Sequence, residues 1–101
     1  MLVHNVYFYL KPDLGEGHIA AFEASLEGLA EIEETRQVYV GRPVALAPEP
    51  MGQSGFTVAL TVIFDSVADH DAYQKHPLHV AFLEENKASW DKVEIYDVES
   101  K

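Results

Sequence analysis

The sequence predicts an α+β domain of order β-α-β-β-α-β, the ferredoxin-like arrangement in which helices cover one side of an antiparallel sheet. Two observations carry the prediction. Leu2–Leu10 and Phe56–Asp65 alternate with a period of two, as half-buried strands do. Ile19, Phe22, Leu26, Leu29 and Ile32 recur at spacings of three and four, which lines one face of a helix. At 101 residues the chain forms one domain, 1–101, with a single core.

The first strand, Leu2–Leu10, puts Leu2, His4, Val6, Phe8 and Leu10 on one face and Val3, Asn5, Tyr7 and Tyr9 on the other. Pro12-Asp13 ends it, and Asp13 with Glu16 reads as an N-cap pair for the first helix. Glu23, Glu27, Glu31 and Glu34 lie off the apolar stripe as a solvated face. Thr35–Gly41 is a second strand, with Val38 and Val40 on one face and Gln37 and Tyr39 on the other. Pro43, Pro48 and Pro50 with Gly41, Gly52 and Gly55 mark residues 41–55 as a long surface loop. Phe56–Asp65 places Phe56, Val58, Leu60, Val62 and Phe64 on one face. Ser66 and Asp69 then cap a short helix through about Lys75, and Pro77 opens another through about Lys87. Lys92–Val98 closes the sheet.

The row from Phe56 to Phe64 suits the helix-covered side. The opposite side carries Val3, Tyr7, Tyr9, Tyr39, Ala59 and Ile63, too apolar a set to face water. A homodimer formed by two sheets packing face to face is expected.

Composition narrows the function. Seventeen acids against seven Lys plus Arg give a formal net charge of −10, which repels phosphate backbones and anionic lipid. No nucleic-acid or membrane partner is expected. The absence of cysteine excludes thiolate catalysis and Cys-ligated zinc. No apolar run reaches the ~20 residues of a membrane span, and Met1–Val6 lacks the basic start of a signal peptide. A cytoplasmic location is expected.

The chemistry gathers in Tyr73-Gln-Lys-His76-Pro77-Leu78-His79-Val-Ala-Phe82. A tyrosine and two histidines fall within seven residues, beside apolar Val80, Phe82 and Leu83. They form either the wall of a polar-tipped pocket or a helix–helix corner. His79 is the best general-base candidate, with Tyr73 to orient it or stabilise a developing enolate. His4, on an apolar strand face, points at the same helices and is either a proton carrier or a core histidine with a hydrogen-bond partner. His76, held extended by Pro77, belongs to the cap region and is a secondary ligand-binding candidate. Phe82 and Trp90 are core aromatics first and pocket lining second. His18 and His70 are expected to be exposed, and Arg36 and Arg42 to pair with surface acids. His76-x-x-His79 with His4 offers three imidazoles, yet His76 and His79 straddle a helix start and no carboxylate sits at a diagnostic spacing. No metal site and no cofactor are expected.

His4-x-Val6, Phe64-Asp65-Ser66, Tyr73-x-x-His76-Pro77-x-His79-x-x-Phe82, and Trp90 ahead of Val93 and Asp97 follow one another across the chain. In these the sequence resembles the stress-responsive dimeric α/β-barrel (Dabb) domain family. The resemblance implies that two ferredoxin-like subunits join their sheets into a dimeric α/β barrel. A plant polyketide cyclase of the family is similar across the motif, which implies acid–base roles for His4, Tyr73 and His79. Other members are stress-induced proteins without an assigned reaction, and some bind a divalent metal. The implied function is therefore binding of a small hydrophobic molecule by a stress-responsive protein, or cofactor-free lyase or cyclase chemistry on a carbonyl or polyketide-like compound. The loop over residues 41–55 departs from the family pattern.

Overall fold

A computed structural model describes residues 1–101. The elements run β1 (Leu2–Leu10), α1 (Glu16–Glu27), β2 (Gln37–Gly41), β3 (Val58–Phe64), α2 (Val67–Lys75), α3 (Pro77–Asn86) and β4 (Trp90–Glu99). Single 3₁₀ turns at Gly28–Glu31 and Lys87–Ser89 follow α1 and α3. The four strands form one antiparallel sheet in the order β2-β3-β1-β4, the ferredoxin-like arrangement. The shortest principal extent, 17 Å, is the depth of one sheet and one layer of helices.

The core lies between those layers because alternation sends every second strand residue to the helices. Leu2, Val6, Phe8 and Leu10 of β1 are buried with Val58, Leu60, Val62 and Phe64 of β3. The register sets Val6 against Leu60 and Phe8 against Val58. Phe22, Leu26, Leu29 and Ile32 cover them from α1 and the turn beyond it, and the Phe22 ring meets Phe8 edge-on at 5.0 Å. The outer face stays open: Tyr39, Tyr96 and Val98 are each more than half exposed.

Local chemistry corrects several expectations. Phe56 does not join the helix-facing row. Ladder pairing starts only at Val58, because Thr57 gives its N–H to the Phe8 carbonyl at 2.7 Å and accepts the Leu10 N–H on its hydroxyl at 3.0 Å. The alternation breaks there, and the Phe56 ring rests on Tyr7 of the open face at 5.1 Å. Asp13 does not cap α1. It sits in a turn closed by the Leu14 N–H on the Lys11 carbonyl at 3.2 Å, and the cap residue is Gly15. Nor is Glu23 simply solvated: Arg42, from the end of β2, bonds both Glu16 and Glu23 with contacts of 2.6–3.2 Å. Arg36 pairs with Asp65, as surface pairing predicts. Ser66 does cap α2, its hydroxyl accepting the Asp69 N–H at 3.2 Å.

Candidate functional site

The α2–α3 corner fixes the first two candidate residues. The residue before a proline is pushed out of helical geometry, and His76 is extended at φ −62°, ψ 139°. Its own Nδ1 accepts the Leu78 N–H at 3.1 Å, capping α3, while Pro77 needs no donor in the first turn. This starts the helix in a phase that turns His79 and, one turn later, Phe82 into the interior. Tyr73, buried in the last turn of α2, lies with its ring 4.6 Å from that of His79. His4, also buried, arrives from β1 with its ring 6.2 Å from Tyr73.

These three side chains meet at one cleft of about 120 Å³. Val6 and Phe8 form its floor, Phe82, Leu83 and Trp90 its apolar walls, and Val93 and Ile95 the side toward β4. Ile95 is more than half exposed, so the cleft reaches solvent along the free flank of β4. Phe22 does not line it, and Phe82 and Trp90 bound the space without filling it. His76 is half-buried in its capping position and does not line the cleft. The three imidazoles His4, His76 and His79 therefore do not form one set. A larger hollow, about 470 Å³, lies on the open sheet face among Tyr7, Tyr9, Phe56 and Tyr96. It holds none of the histidines and occupies the surface a second sheet would cover.

Two polar atoms of the cleft residues are buried without a hydrogen-bond partner: His79 Nδ1 and Trp90 Nε1. Burial draws the His79 pKa below its ordinary value, the charges of His4 and His70 add to this, and the Gln74 carbonyl opposes it. A neutral imidazole is the resting form. Burial pushes the Tyr73 hydroxyl up, so it keeps its proton and serves as a donor. His4 is also lowered by burial, although its Nδ1 lies 2.5 Å from Asp97 Oδ1, whose bond and charge act the other way.

Sequence reading missed two neighbours of this site. Asp97 stands directly across the β1–β4 ladder from His4, 93 positions away in sequence. Only the strand register reveals that contact. His70 is not exposed as expected but half-buried, its ring 4.9 Å from His4 and 5.5 Å from Phe64. The available signal was its spacing of three from Tyr73 and four from Gln74, which shares a helix face with both. His18, by contrast, is exposed and bonds the Ser89 hydroxyl at 2.8 Å.

The chain matches the model of the stress responsive A/B barrel domain, Dabb, across residues 2–100. It belongs to the Dabb family. Solved structures agree with the fold. An Arabidopsis thaliana protein superposes with a TM-score of 0.84 at 24% identity, covering 100% of this chain and 96% of that one. A hydroxynitrile lyase from Passiflora edulis gives 0.82 at 24% identity, over 99% and 93% of the two chains. A dimeric ferredoxin-like protein of unknown function from Bacteroides fragilis gives 0.75 at 27% identity, over 98% and 95%. No curated protein matches the sequence significantly. No helix of this Dabb chain is long and apolar enough to cross a membrane.

Proposed function

We propose that this Dabb chain acts as a homodimer joined through its open sheet faces, and that each cleft binds a small, largely hydrophobic molecule carrying one polar group. The observation that carries the binding reading is His79 Nδ1, buried and unpartnered at the wall of an apolar cleft. A buried polar atom left unsatisfied costs about 1–3 kcal/mol, and a ligand group that pairs with it recovers that cost. The dimer reading rests on the open face and on the dimeric state of the Bacteroides fragilis neighbour. A part in stress response, carried by the family's description, belongs to the same proposal.

The test is a thermal-shift screen of aromatic and polyketide-like acids, ketones and aldehydes against wild type and His79→Ala. Compounds that raise the melting temperature of wild type and not of His79→Ala support the reading. Equal shifts in both proteins reject His79 as the contact.

A second reading is favoured by the convergence of His79, Tyr73 and His4 on one cleft, with Asp97 bonded to His4 behind it. Here the chain is a cofactor-free lyase or cyclase. Neutral His79 removes a proton α to a carbonyl, the Tyr73 hydroxyl donates to the enolate oxygen, and His4 relays or stabilises charge. The Passiflora edulis neighbour, a hydroxynitrile lyase, shows that this fold accommodates lyase chemistry. His79→Ala then abolishes turnover while the protein stays folded; unchanged turnover rejects the mechanism.

A further inference from the structure

We propose that His4, His70 and Asp97 bind one divalent transition ion of the zinc type. One ligand atom from each lies within 4.8 Å of the other two, and the three come from β1, α2 and β4. Two imidazoles and one carboxylate are the donors that Zn²⁺, Co²⁺ and Ni²⁺ take in sites with an open position; Mg²⁺ and Ca²⁺ prefer oxygen throughout. His70 and Asp97 lie outside the residues lining the cleft, so of the three ligands only His4 is shared with the reading above.

The geometry needs only side-chain adjustment. Zinc holds N and O donors at about 2.0–2.2 Å, which sets neighbouring donors in a tetrahedron about 3.3 Å apart. His4 Nδ1 and Asp97 Oδ1, hydrogen-bonded at 2.5 Å, must open slightly, and the widest pair of the set must close. The groups free to turn are the partly exposed ones: the side chains of Asp97 and His70 are 43% and 18% exposed, against 4% for His4. His4 is thus the fixed ligand and Asp97 the entry side.

The surroundings favour the same outcome. Asp71 Oδ1 lies 3.2 Å from His70 Nδ1, the carboxylate contact that fixes a ligating histidine and leaves Nε2 for the ion. The Gln74 amide contacts that Nε2 at 3.2 Å, and metal binding exchanges this contact for the ion. The net charge of −10 raises the local concentration of cations. His4 also lines the cleft, so the ion and a proton relay through His4 are alternative uses of one side chain.

The test uses the intact protein with zinc chloride by calorimetry and cobalt chloride by visible absorption. The expected result is one ion per chain with the bands of low-coordinate Co²⁺. His70→Ala and Asp97→Asn should each weaken binding at least tenfold, whereas His18→Ala, which removes an exposed histidine, leaves it unchanged. Circular dichroism checks the fold of each variant. As a measurement that needs no variant, zinc added to ¹⁵N-labelled wild type should shift the amides around residues 4, 70 and 97 first. Binding weaker than millimolar, a loss in His18→Ala equal to that in His70→Ala, or shifts confined to other residues would overturn the proposal.

Discussion

A buried imidazole whose ring nitrogen has no partner destabilises the fold around it, and His79 is in that position. Its pKa is lowered on folding, so the unfolded chain, titrating near 6.5, binds the proton more tightly. Stability is flat above that value, falls as pH drops from it toward the folded pKa, and levels off below. The groups facing His79 are His4 on β1 and His70 and Tyr73 on α2, and His4 is lowered in the same sense. His79→Asn should therefore reduce, without abolishing, the slope of urea stability against pH on the acid side, by up to ~1.4 kcal/mol per pH unit. An identical slope in both proteins would show that His79 does not titrate on unfolding. Tyr73→Phe removes a donor that stays protonated because it is buried. It should cost folding less than about 1 kcal/mol while weakening binding of a carbonyl ligand about tenfold, as measured by calorimetry. Tyr73 and His79 were legible in the sequence because a few residues around Pro77 dictate their meeting, and His4 because alternation aims it at the helices. Asp97 was not legible as its partner, since the contact exists only through the β1–β4 register.

Elements were legible where one periodicity ran uninterrupted. β1 alternates without a break and has the bounds its pattern predicts, Leu2–Leu10. The errors fall where a single side chain competes with the backbone pattern: the Thr57 hydroxyl, which bonds the Leu10 N–H and ends the alternation before Phe56, and the Pro12-Asp13 turn, which takes Asp13 away from α1. Short helices depend most on such local bonds. α2 has nine residues and one fully buried side chain, so its cap matters. Ser66→Ala should cost about 1 kcal/mol in urea unfolding, and Ser66→Asp should restore most of it. Full stability in Ser66→Ala would mean that packing of Tyr73 alone holds the helix. In the 41–55 loop, an added Cβ at Gly52 would stand 2.0 Å from the Ala47 carbonyl oxygen. Gly52→Ala must therefore displace that turn, and it should raise the rate of proteolysis within the loop relative to wild type.

The isolated chain exposes 6356 Å², whereas a monomeric protein of its mass exposes about 5,700 Å². Part of the excess is apolar and continuous. Ile63, Val3 and Val98 sit side by side across β3, β1 and β4 on the open face, with Tyr39 and Tyr96 on the same side. Covering that face with a second copy removes the apolar row from water, which is the physical content of the proposed dimer. Val3, on a central strand, is the position at which a charge tests this with least effect on the monomer, because its side chain does not contribute to the helix-covered core. In a two-fold interface Val3→Glu places two unpaired carboxylates in the contact. At about 1.5 kcal/mol or more each, they should raise the dimer dissociation constant at least 100-fold. Analytical ultracentrifugation of Val3→Glu should show a monomer at micromolar concentration, with far-ultraviolet circular dichroism like that of wild type. The thermal midpoint of wild type should rise with protein concentration and that of the variant should not. A Val3→Glu protein that still sediments as wild type does would place the contact on another surface, and the hollow among Tyr7, Tyr9, Phe56 and Tyr96 would then face water.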